Sequence, residues 1–298
     1  MKHVFIINPV AGKGIPLKYV PQIKKVFQHR HEEFHIEMTD RPGHATDIAR
    51  RYASSGVYRI YSVGGDGTVN EILNGMAGSD CSLAVIPGGS GNDFIKSLCR
   101  DIKHEDMLLR TIDGKEYPID LAKVNDRFFV NISSLGFDAE VAYNTNRHKK
   151  FFGLRGIVAY MTGVAETLFK YGNNPIKVVV DGDKHIEMDS LLLAVANGRY
   201  YGGGMMPAPD AKIDDGKLDL CLIEGKNRLE IMKFFPKFIK GKHADIGGVH
   251  FIKGSRIEVE CLKKMHLNID GEIEMVNRAV FEIIPGGIKV VMPVETLS

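Results

Sequence analysis

Three glycine-rich turns stand at the ends of three short apolar runs: NPVAGKG (8–14) after HVFII, GGDGT (64–68) after YRIYSV (58–63), and PGGSGND (87–93) at the end of SLAVIP. Apolar runs this short read as buried strands. Between them lie stretches with apolar residues at helical spacing, among them KYVPQIKKVFQHR (18–30), GHATDIARRYAS and TVNEILNGMA. Strand–helix alternation of this period predicts a parallel, Rossmann-like sheet covered on both faces. Ligands of such sheets bind beyond the carboxyl ends of the strands, where these glycines stand.

From about Tyr117 the pattern changes. YPIDLAKV, RFFVNISSL, LLLAVANG, KLDLCLIEG, MHLNIDG and AVFEII are short strands parted by Gly, Asp or Asn turns. They predict an all-β, sandwich-like second domain, interrupted by helical stretches at 147–171 and 226–243. The boundary near 120–130 is a switch of pattern with no linker. With 298 residues, 44% apolar and 26% charged, the chain has enough material for two cores. A formal net charge of +2 gives no global reason to expect nucleic acid. Cys81, Cys99, Cys221 and Cys261 lie far apart and at no metal-binding or redox spacing, so reduced thiols in a cytoplasmic protein are expected. MKHVFIINP is too short for a signal-peptide apolar region and reads as a first strand. No apolar run reaches the roughly 18 residues that span a bilayer.

Glycine permits positive φ and lets a ligand approach bare backbone. Successive exposed N–H groups, followed by a helix N-terminus near Thr68, make a phosphate cradle. Asp66 is out of place there, because a carboxylate repels phosphate. It fits if a divalent cation lies between them, or if it accepts a hydrogen bond from a hydroxyl. An ordinary capped turn explains GGDGT alone equally well. Neither GxxxxGK[ST] nor an opening GxGxxG is present, so the turns predict a nucleotide site of another kind. Lys13 either neutralises phosphate or is a solvated loop lysine. AKIDDGKLDL (211–220) reads as a hairpin turn running into a strand, and NIDGEIE (268–274) as a turn with two acids. No histidine stands at metal-ligand spacing.

Taken together, NPVAGKG, GGDGTVNE, PGGSGNDF, DDGKLDL and NIDGE, in this order, resemble the diacylglycerol kinase catalytic-domain family, in particular its soluble bacterial lipid kinases. The resemblance covers essentially the whole chain. It implies an α/β nucleotide domain over 1–125 with segment 287–298 returning to it, a β-sandwich domain over 126–286, and an active site in the cleft between them. ATP is implied on Asn8, Pro9, Val10, Ala11, Gly12 and Lys13, on Thr39, on Gly64, Gly65, Asp66, Gly67, Thr68, Val69, Asn70 and Glu71, and on Ser90, Gly91 and Asn92. Magnesium is implied on the Lys212 carbonyl, the Asp215 carboxylate and the Lys217 carbonyl. Asp66, Asp93 and Asp120 would join it through water. Phosphorylation of a hydroxyl needs a placed base, and in the family that role falls to the acid of DGE, here Glu272. Asp270 is the second choice, as base or positioning group.

The resemblance therefore implies an ATP- and magnesium-dependent lipid kinase. Diacylglycerol is the first choice of acceptor, ahead of a sphingoid base, phosphatidylglycerol or a polyprenol-like lipid. The related nicotinamide-dinucleotide kinases share GGDGT and are not expected to carry GNDF. GKNRLEIMKFFPKFIKGKH (225–243) sets six basic residues among seven apolar ones, against one acid. It reads either as a peripheral contact with the inner face of the cell membrane or as a helix packed on the sandwich. A homodimer is compatible with the sequence.

Overall fold

The computed structural model describes residues 1–99, 106–152, 156–170 and 172–295. Its first lobe holds β1 (Lys2–Ile7), β2 (Glu33–Met38), β3 (Arg59–Gly64) and β4 (Ser82–Pro87). They pair parallel in the order β2-β1-β3-β4. Alternate side chains face opposite sides of a strand, so this sheet feeds two cores. Val4, Ile6, Ile60, Leu83 and Val85 pack with α2 (His44–Ser55) and α3 (Asp66–Met76). Phe5, Ile7, Tyr61, Val63 and Ile86 pack with α1 (Tyr19–Phe27) and α5 (Met107–Ile112). The short α4 (Asp93–Leu98) follows the third glycine turn.

The expected separate, Rossmann-like parallel sheet is corrected by the strand order. A dinucleotide fold runs 3-2-1-4, whereas these strands run 2-1-3-4. Nor does the sheet end at β4. The last strand, β13 (Glu272–Met292), pairs parallel with β4 at Lys289 and Val290, and antiparallel with β5 (Lys115–Val124). One mixed sheet of 13 strands therefore runs through both lobes. The reason lies in a bend. AVFEII and IKVVMP read as two strands because Pro285, Gly286 and Gly287 stand between them. In the structure the pairing with β5 only shifts register between Ile284 and Ile288, and the strand continues.

The second lobe contains β6 (Arg127–Phe129), β7 (Ile132–Gly136), β8 (Asn174–Val180), β9 (Lys184–Ala196), β10 (Leu218–Glu224), β11 (Val249–Gly254) and β12 (Arg256–Ile269). Four of them pair in a closed circuit: β7 with β9, β9 with β8, β8 with β12, and β12 with β7. The long strands β9 and β12 each serve two neighbours with different halves, and closure leaves those edges satisfied. Leu135, Val178, Val195, Val259, Leu267 and Phe281 fill the interior. A fourth core lies where β7, β9 and β10 meet α6 (Phe137–Phe152) and α8 (Arg228–Ile239), with α7 (Gly156–Lys170) packed along α6. Helix starts ten residues before the expected 147. Residues 153–155 and 171, where helix was also expected, lie outside the described residues. All four cysteines are free and buried. Among the described residues no helix is long and apolar enough to cross a membrane.

Candidate active site

The glycine turns are built from the strands that deliver them. After β1 the chain passes through Gly12, Lys13 and Gly14 with φ of 51°, 62° and 88°. This run of left-handed backbone, which glycine permits at two of its three positions, leaves the turn open to a ligand. After β3, Gly65 precedes α3, whose first turn holds Asp66, Gly67 and Thr68. After β4, Asn92 is left-handed at φ 50° and folds its side chain back on Gly89, accepting from its N–H at 2.9 Å and donating to its carbonyl at 2.9 Å.

Parallel pairing brings the turns to one edge, and missing side chains let them touch. A Cβ on Gly12 would fall 2.0 Å from the Gly88 carbonyl oxygen, and one on Gly89 would fall 2.4 Å from the Gly65 Cα. The Gly88 N–H donates to the Gly64 carbonyl at 2.7 Å. Asn8 donates to the Thr68 hydroxyl at 3.1 Å and accepts from the Val10 N–H at 3.2 Å, tying the first turn to the second. Pro9, Ala11 and Lys13 continue the first turn, where Val10 is 83% exposed. Thr39 sits at the end of β2, where its N–H donates to the Ile7 carbonyl at 2.9 Å. Ser90 is exposed on the third turn.

The acids have distinct places. Asp66 Oδ1 accepts from the N–H groups of Asp93 and Phe94 at 2.7 and 3.2 Å, so it holds α4 in position. Its Oδ2 faces the third turn, 2.7 Å from where a Gly91 Cβ would stand. Burial first, and then the charge of Asp93, push the Asp66 carboxyl up from its ordinary range. Asp93 is bound by Lys96 Nζ at 2.7 Å and by the Gly203 N–H at 2.7 Å. Glu71 accepts from the N–H groups of Gly43 and Ala45 at 2.9 and 3.1 Å, which makes it the cap of α2. Val69 is on the buried face of α3, and Asn70 turns to the second lobe, donating to the Phe128 carbonyl at 3.3 Å.

That second lobe supplies Glu272. Asp270 and Gly271 form the β12–β13 turn with φ of 48° and 101°. The Asp270 carboxylate accepts from the N–H groups of Val130, Asn131 and Ile132 at 3.0, 3.2 and 3.0 Å. Burial pushes it up to about 6 against the pull of these donors. So anchored, the turn sends Glu272 towards the first lobe, where Oε1 lies 4.0 Å from the position of a Gly67 Cβ. The Asp270 carboxylate thus ties the turn that carries Glu272 to the backbone of residues 130–132.

The 211–217 turn joins the cleft through Asp120, whose oxygens accept from the Gly216 and Gly286 N–H groups at 2.6 and 2.9 Å. Asp215 accepts from the Lys217 N–H at 3.1 Å and from Lys253 Nζ at 2.7 Å. Lys212 and Lys217 are exposed. Among the described residues no group of three or more His, Cys, Asp or Glu could hold a metal. The Asp66 and Asp93 carboxylates nonetheless meet at Gly91, their Oδ2 atoms 2.7 and 3.4 Å from where its Cβ would stand, and paired carboxylate oxygens suit a divalent cation. Such a cation would complete its shell with carbonyl, phosphate and water oxygens. Lys96 and Gly203 were not singled out from sequence. The signals were there: Lys96 is one turn along α4 from Asp93, and Gly202–Gly204 is a fourth glycine run.

Comparison with known proteins identifies the family. Residues 2–124 match the diacylglycerol kinase catalytic domain, and residues 131–292 match the YegS C-terminal NAD kinase beta sandwich-like domain. The chain is 32% identical to a diacylglycerol kinase of Bacillus subtilis, over 99% of this chain and 98% of that one. It is 27% identical to a diacylglycerol kinase of Mycobacterium tuberculosis, over 98% of this chain and 95% of that one. A Bacillus anthracis structure assigned to the diacylglycerol kinases superposes with a TM-score of 0.77 at 29% identity, covering 100% of this chain and 98% of its own. The chain therefore belongs to the diacylglycerol kinase catalytic-domain family and is a lipid kinase that uses ATP.

Proposed function

We propose that the chain transfers the γ-phosphate of ATP, with magnesium, to the free hydroxyl of diacylglycerol, giving phosphatidic acid. The observation that carries this reading is the placement of Glu272 beside Gly67, at the edge where the three glycine turns touch. The triphosphate lies on the turn of Gly12–Gly14, on the α3 N-terminus and on the Ser90–Asn92 turn, with Asn8 and Thr68 bracing them. Magnesium, when bound, neutralises charge on the phosphate oxygens. The Lys212 carbonyl, Asp215 and the Lys217 carbonyl would hold it, with Asp66, Asp93 and Asp120 linked to it through water. Two units contribute, 1–125 with 287–298 and 126–286.

The acceptor oxygen attacks the γ-phosphorus while the bond to the β–γ bridging oxygen breaks. A new O–P bond forms, ADP leaves with the bridging oxygen, and the hydroxyl proton passes to the Glu272 carboxylate. The acceptor is reached at a membrane surface. Helix α8 suits such a contact: it buries Ile231, Phe234 and Phe238 and leaves Leu229 and Met232 exposed among lysines.

Glu272→Gln tests the reading. It keeps size and removes the base, so kcat on dispersed diacylglycerol should fall at least ~10²-fold with ATP affinity and melting temperature unchanged. Near-full turnover in this variant would remove Glu272 from the chemistry.

A further inference from the structure

A second cavity of about 440 Å³ lies apart from the glycine turns, between α6, α7 and the β12–β13 ladder. Four permanent cations line it, Arg147, Lys170, Lys263 and Lys264, against two carboxylates, Glu140 and Glu166. The carboxylates are engaged within the wall. Glu166 takes Arg147 at 2.5 Å and Lys170 at 2.7 Å, and Glu140 takes His266 at 2.6 Å. His266 in turn stacks on Tyr143 with ring centroids 4.0 Å apart. The wall is thus cross-braced and keeps a positive excess.

Lys263 and Lys264 supply that excess. They sit where the register of β12 on β13 jumps between Glu260 and Met265, and both are exposed. The bulge puts two consecutive lysines at one rim, which regular alternation would have sent to opposite faces. Met275, which lines the cavity, is 51% exposed, and Leu262, next to Lys263 in the chain, is 73% exposed. Basic groups and an exposed apolar side chain at one rim match a ligand with a phosphate at one end and hydrocarbon at the other.

We propose that this cavity is a second anion site that takes a phosphate-bearing ligand, with a phospholipid headgroup as the source its apolar rim favours. It goes beyond the acceptor reading above and rests on it only in that both place the chain at a lipid surface. The cavity also borders the ladder that ends at Glu272: His266 pairs with Met275, three rungs from the Ile269–Glu272 pair. Occupancy there would brace the hairpin that presents the base.

The test is calorimetric titration of the full chain, saturated with a non-hydrolysable ATP analogue and magnesium so that the glycine turns are filled. The probes are dioctanoyl phosphatidic acid below its micelle concentration, glycerol 3-phosphate and inorganic phosphate. We expect phosphatidic acid to bind, the double variant K263E/K264E to weaken it at least about tenfold, and the α8 variant K237E to leave it unchanged. Both lysines are exposed, so an unaltered melting temperature shows that the variant folds. Glycerol 3-phosphate binding as tightly as the lipid would overturn the headgroup and assign the site to soluble phosphate esters. Undiminished lipid binding by K263E/K264E, or no binding of any probe, would overturn the site. Failure of the ATP analogue to bind would count against the kinase site, and it is seen separately from the second titration.

Discussion

Gly12 and Gly67 test the cleft in opposite ways. At Gly12 an alanine Cβ would collide with the Gly88 carbonyl and would sit at positive φ, so Gly12→Ala should lower stability as well as ATP affinity. At Gly67 φ is not positive and the nearest atom to a Cβ is Glu272 Oε1 at 4.0 Å. Alanine in the first turn of a helix is favoured over glycine by up to about 1 kcal/mol. Gly67→Ala should therefore melt no lower than wild type yet lose at least about tenfold in kcat, because the methyl fills the gap in front of the base. Melting curves and steady-state kinetics on the two variants separate a folding role from a catalytic one. Asp270 adds a pH signature. Its carboxyl is raised to about 6 in the folded chain, so between its unfolded value near 4 and about 6 the folded state holds the proton more tightly. The stability it contributes is present below that window and falls as pH rises through it. Urea denaturation from pH 4 to 7 should show a downward slope in wild type that Asp270→Asn lacks. Parallel curves for the two would contradict the raised carboxyl.

Among the elements, the strands carrying the glycine turns were legible because buried parallel strands read as unbroken apolar runs. The β13 strand was not, since Pro285–Gly287 carries every local mark of a turn and only pairing with β5 and β4 makes it a bend. The role of Asp66 was half legible. Its place beside the glycine turns could be read, but its grip on the α4 N-terminus depends on a residue 27 positions away. Asp270 read as second choice to Glu272, as base or positioning group, and spacing could not show that the amides of 130–132 donate to its carboxylate. Helix α8 kept both its readings. One face is core, and the other shows Leu229 at 71% and Met232 at 59% exposure. If that face meets lipid, L229E/M232E should lose binding to anionic vesicles at low salt, where surface charge is least screened, and keep turnover on detergent-dispersed substrate. Sedimentation with vesicles checks this, and wild-type binding that is equal on neutral vesicles would contradict the basic contribution.

At the scale of the molecule, one continuous sheet joins the lobes. β13 is the member common to both: Glu272 at its start belongs to the second-lobe hairpin, and Lys289 and Val290 near its end extend the first-lobe sheet. The strand that presents Glu272 is thus also the strand that extends the first-lobe sheet, and the distance between Glu272 and the glycine turns is set by backbone pairing. The family comparisons cover the chain from end to end, in keeping with a cleft that needs both halves. The most direct test of the central claim is a crystal structure with a non-hydrolysable ATP analogue and magnesium. The account predicts a triphosphate within hydrogen-bond reach of the Gly12, Gly67 and Gly91 amides, its γ-phosphate facing Glu272. A nucleotide bound elsewhere, or a γ-phosphate turned away from Glu272, would contradict it.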